Sequence, residues 1–113
     1  MFKFLASALV GGVAFAKDPV STGVLYLKDG LKKAGQNPDR LPLALYQELA
    51  KYALDTADSL AMLDKREKKV THFTNHLEGV LYCLLDAIGG RYKPIPGIQS
   101  PIDDIFRRYK VIL

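Results

Sequence analysis

At 113 residues the chain has room for one domain and one core. Apolar residues at 49% and charged residues at 25% exclude an intrinsically disordered polymer. The 16 Lys and Arg against 12 Asp and Glu give a mild net charge of +4, spread along the chain rather than gathered into an aromatic-studded nucleic-acid stripe, and the single Cys83 excludes an internal disulfide or a thiolate cage.

Residues Phe4 to Ala16 form an uncharged run of 13, after Lys3 and before Lys17-Asp18-Pro19. Two readings compete. A basic start, a short apolar stretch and the small-x-small triplet Ala14-Phe15-Ala16 fit a secretory signal peptide whose removal leaves a chain starting at Lys17. A retained segment, as a helix of about 20 Å, falls short of the roughly 30 Å hydrocarbon core, so it would dip into a membrane or pack on other subunits. In that case Phe4, Leu5, Leu9, Val10 and Phe15 are its contact residues, and Gly11-Gly12 lets another backbone come close. The chain thus divides into an apolar segment, 1–16, and a helical domain, 17–113.

Asp18-Pro19 reads as an N-cap followed by proline at the first helical position. Val20, Val24, Leu27, Leu31 and Ala34 recur at helical spacing, and Gly35 stands where a left-handed C-cap belongs, which predicts a helix over about 19–34. The rival is a strand Val24 to Leu27 turning at Asp29-Gly30, but no second alternating run follows. Gln36-Asn37-Pro38-Asp39 is a polar turn, and Pro42 biases Leu41 away from helical angles.

A helix over about 42–64 follows from the stripe Leu45, Leu49, Tyr52, Ala53, Thr56, Ala57, Leu60 and Leu63. The charged link Lys65-Arg66-Glu67-Lys68-Lys69 contains an acid and reads as a solvated connection. A helix over about 68–88 carries Val70, Phe73, Leu77, Val80, Leu81, Leu84, Leu85 and Ile88 and stops at Gly89-Gly90. The short link makes an antiparallel helical hairpin the economical packing of these two.

Pro94, Pro96 and Gly97 keep residues 91–99 extended. Ser100-Pro101 then predicts a short C-terminal helix over about 101–110, with Asp103 in its first turn and Arg107, Arg108 and Lys110 near its end. Ile102, Ile105, Phe106 and Tyr109 share a face that must dock, and Val111, Ile112 and Leu113 also call for cover. The fold class is therefore all-α.

His72 and His76 lie four apart, with Cys83 seven further on roughly the same side. They have the donor types of a zinc or haem site, but Phe73 stands where the protease motif needs Glu and no further ligand is evident. A helical-wheel projection sets the trio toward the polar face. Asp55, Asp58 and Asp64, and the pair Asp103-Asp104, read as capping and solvating carboxylates rather than a general acid and base. Gly89-Gly90 lacks the Lys-Ser or Lys-Thr of a phosphate loop.

No catalytic residue, metal or cofactor is implied. The leading expectation is a non-enzymatic structural subunit of a larger assembly, a virus particle or a membrane-associated complex. Its partners are other protein subunits, with membrane contact through residues 4–16 and no nucleic acid, and its interaction residues include Ile105, Phe106, Tyr109, Ile112 and Leu113 beside those of the N-terminal run. The alternatives are an exported envelope protein, periplasmic or secreted, binding a small ligand between its helices, and a metal or haem protein using His72 and His76.

Overall fold

The structure, a computed structural model, describes residues 18–61, 66–94, 96–98 and 100–112, with side chains at all of these except 60, 61 and 66–70. The described elements are α1 (Pro19–Lys33), a single 3-10 turn (Pro38–Arg40), α2 (Leu43–Ala61), α3 (Arg66–Ile88) and α4 (Pro101–Arg108). The chain is all-α, with no strand among the described residues. The strand-and-turn alternative for Val24 to Gly30 falls within the unbroken helix α1, where Gly30 is buried.

Local chemistry sets the helix ends. Asp18 accepts the Ser21 backbone N–H at 3.0 Å on Oδ1, and its other oxygen accepts the Ser21 hydroxyl at 2.7 Å. Those bonds favour the ionised carboxylate and lower its pKa. Asn37 caps the 3-10 turn at the Asp39 N–H, and the buried Tyr46 pins that turn to α2 by donating to the Pro38 carbonyl at 2.6 Å. Leu41 is extended before Pro42, so α2 begins at Leu43. At α4 the expected serine cap fails. Ser100 occupies the N-cap position with extended backbone, yet its hydroxyl makes no capping bond, and only its carbonyl joins the helix, accepting from Asp104 N–H at 3.2 Å.

Three helices stop in the same way. A residue at positive φ follows the cap, at Gly35 (φ 83°), Gly90 (φ 76°) and Lys110 (φ 57°). The next residue's N–H then reaches five residues back: Gln36 to Leu31 at 2.9 Å, Arg91 to Asp86 at 2.8 Å and Val111 to Phe106 at 2.8 Å. Two of the three use glycine, for which a left-handed conformation costs nothing, while Lys110 holds it against its own Cβ.

The core joins all four helices. Leu27 and Leu31 of α1, Leu45 and Leu49 of α2, Phe73, Leu77, Leu81 and Leu84 of α3 and Phe106 of α4 are wholly buried. Each such side chain contributes about 1.5–3 kcal/mol. The predicted stripes hold these positions but miss Tyr26, Tyr46 and Ala50, which are equally buried. α2 packs along α3 and α1, while α4 lies on α2.

α1 approaches so closely because it carries glycine at the contact. A Cβ on Gly23 would stand 2.8 Å from the Ala50 Cβ and 3.1 Å from the Phe73 ring, and one on Gly30 would strike a Leu81 methyl. These neighbours also fix directions. Gly23 sits beside Phe73 and Leu77, and Gly30 beside Leu81, so α1 shares the sense of α3. Gly23 sits beside Ala50 while Lys28 lies over the Tyr46 ring, so α1 runs against α2.

Two glycine substitutions separate packing from propensity. Gly23→Ala should lower stability to urea by about 1–3 kcal/mol, because the Ala50 Cβ belongs to a helix and cannot swing away. Gly79→Ala, in the exposed middle of α3 with nothing within 4 Å of its added methyl, should raise it by about 0.5–1 kcal/mol.

Candidate functional site

The sequence-derived interaction residues fall into three groups. Phe4, Leu5, Leu9, Val10, Phe15 and Leu113 lie outside the described residues. Ile105 and Phe106, 6% and 0% exposed, face the chain's own core, where the Tyr92 ring meets Phe106 edge-on with centroids 5.2 Å apart. Tyr109 and Ile112 are half-buried against that core.

Tyr109 belongs to a clasp that sequence reading missed. Its hydroxyl and the Arg108 guanidinium both donate to the carboxylate of Glu48, sixty residues away on α2. Tyr109 and Arg108, both stabilising the anion, hold the Glu48 carboxyl below the usual range. The same contact raises the Arg108 and Tyr109 pKa values. A second tie joins the segment after α3 to α4, where the Tyr92 hydroxyl donates to the buried Asp103 carboxylate. Asp104, next in sequence, is exposed, so the pair is split by its surroundings.

His72, His76 and Cys83 share a side of α3, but all three are half-buried rather than solvated. The wheel projection saw α3 alone. In the fold α4 comes near this flank, since burial, and then Asp86 and Asp103, raise the Cys83 pKa. A thiol so raised stays protonated and is a poor nucleophile or metal ligand at neutral pH. Desolvation, and then the neighbouring His72, lower the His76 pKa, so its imidazole is neutral at pH 7. Among the described residues no three His, Cys, Asp or Glu side chains stand together as a metal-holding group.

Besides a recess of about 540 Å³ against Pro94, Ile98, Asp103, Asp104 and Arg107, two others indent the described surface. The first is an open groove of about 530 Å³ between α2 and α4, where Tyr52, Pro101 and Ile105 meet Glu48, Lys51 and Asp55. Pro101 faces the Ser59 end of α2 and Arg108 faces Glu48, so α4 runs against α2. The second is a cleft of about 310 Å³ where α3 ends, lined by Ala87, Ile88, Gly90, Tyr92, Val111 and Ile112. The apolar triplet at 111–113 signals such a surface in the sequence. Tyr92, isolated between Gly90-Arg91 and Lys93-Pro94, belongs to no periodic pattern and gives no such signal.

No family model, curated protein or solved structure matches this chain significantly.

The clasp carries a pH signature. A carboxylate whose folded pKa is depressed stabilises the fold fully above its unfolded value near 4.5, and loses that contribution as pH falls through the folded value. Glu48→Gln should therefore lower the Tm by a few degrees at pH 7, a small effect because exposed pairs are weak through screening, and the difference should shrink as pH falls below about 4.5. Thermal melts of both proteins over pH 3–7 measure the difference.

Proposed function

We propose that this chain is a non-enzymatic assembly subunit: a small helical domain held in a larger protein complex, such as a virus particle or a membrane-associated complex, by apolar surface outside its own core. One observation carries the reading. An uncharged run of 13 residues, Phe4 to Ala16, stands ahead of Asp18-Pro19, where the first described helix opens. So long an uncharged stretch calls for cover, which partner subunits or a lipid interface would supply. Among the described residues no helix is long and apolar enough to cross a membrane.

An exported envelope protein is the second reading, and the start of the fold favours it. The Asp18 cap opens α1 just after Lys17, so cleavage behind Ala16 would leave the helical domain whole.

Intact mass and light scattering on the native product test both. The assembly reading expects a chain retaining Met1 in a particle or complex several times heavier than one copy. A compact monomer retaining Met1 overturns it, and a chain beginning at Lys17 selects export.

A further inference from the structure

Both histidines of the chain, His72 and His76, fall on α3, and the assembly role uses neither. Four residues of helix turn through about 400°, which brings His76 back to within about 40° of His72 and about 6 Å along the axis. Side chains so spaced are neighbours on the helix surface. The fold keeps them so: both imidazoles are half-buried on one flank, and burial, followed by the charge of His72, acts against protonation of His76. Two rings that feel each other's charge are within reach of a common ion.

The ligand set stops at these two. Cys83 shares the flank but stands about 10 Å further along the axis, and burial keeps its thiol protonated. Among the described residues no third His, Cys, Asp or Glu completes a metal-holding group with the pair. Neutral imidazole nitrogens suit zinc and copper(II), whereas magnesium and calcium take oxygen ligands. Because the helix fixes the spacing, the second ring meets an ion already held by the first as an intramolecular ligand, and the two together bind far more tightly than either alone.

We infer that His72 and His76 form a reversible binding site for a divalent transition-metal ion of the zinc type, chelated by one nitrogen of each ring. Water fills the remaining coordination places, since two protein ligands are fewer than the three of a hydrolytic zinc centre. The site is one of capture and release rather than of catalysis. It owes nothing to residues 4–16 and stands whether the chain is held in an assembly or exported.

The test titrates the full chain with zinc chloride while the ring-proton resonances of both histidines are followed. Both rings should move together and saturate at one ion per chain, and magnesium chloride should leave them in place. Zinc at ten times its dissociation constant should raise the Tm by about 5 °C, because the unfolded chain no longer holds the rings one turn apart. His72→Gln and His76→Gln should each weaken binding at least about tenfold, while Cys83→Ser leaves it unchanged. The exchange Thr71→His with His72→Thr keeps two histidines but sets them five apart, about 140° round the helix, so it should bind as weakly as the single variants with its helical circular dichroism intact. That outcome separates lost chelation from misfolding. No movement, movement of one ring alone, a Tm unaltered by zinc, an exchanged pair that binds as tightly as wild type, or an affinity that falls with Cys83→Ser overturns the proposal.

Discussion

The rest of the bundle depends on how near α1 can come to α2 and α3, and Gly23 sets that distance. With only a hydrogen where every other residue has a carbon, α1 settles against the Ala50 methyl and the Phe73 ring at once. Glycine inside a helix costs about 1 kcal/mol against alanine. That loss is offset because the close seat brings Tyr26, Leu27 and Leu31 fully out of water, each worth more than the glycine costs. Gly30 repeats the device two turns later against Leu81, so α1 stays close along its length.

Much of this was legible in the sequence where one residue type has one job. Asp18-Pro19 opens α1, Gly35 and Gly90 close two helices, and the stripes of leucine and phenylalanine mark the faces that are buried. The failures have physical causes. Tyr26 and Tyr46 look amphipathic in a sequence, yet both rings are wholly buried, and Tyr46 also uses its hydroxyl to hold the 3-10 turn; burial, with Asp39 nearby, pushes its pKa up to about 12. His72, His76 and Cys83 project to a polar side of α3 only while the helix is considered alone. Ser100 keeps the position of a cap without its bond, a matter of side-chain rotation that residue identity does not encode. Glu48, Arg108 and Tyr109 meet across sixty residues, a distance over which no periodicity speaks.

The candidate surfaces follow the same division. The apolar run near the start and the triplet at the end are visible as composition, because exposed grease needs a cover wherever it lies. The cleft is not visible, because its walls come from three separate stretches joined only by folding: the last turn of α3, Tyr92, and the residues after α4.

The direction of α4 imposes a minimum length on what precedes it. α4 starts beside the Ser59 end of α2 and finishes by Glu48, whereas α1, which keeps company with α3, runs against α2 as well. After leaving α3 the chain must therefore travel back along the bundle, by about 20 Å for the dozen or so α2 residues spanned, before it can turn into α4. A further helix could climb only about 1.5 Å per residue, whereas extended backbone covers about 3.3 Å, and the prolines at 94 and 96 rule out the helix. The segment is not extended throughout as the sequence suggested, since residues 96 and 97 form a turn with Gly97 at φ 79°. Natural variants of this fold should tolerate lengthening there far better than shortening, since fewer than about six extended residues would leave Phe106 unable to reach its seat.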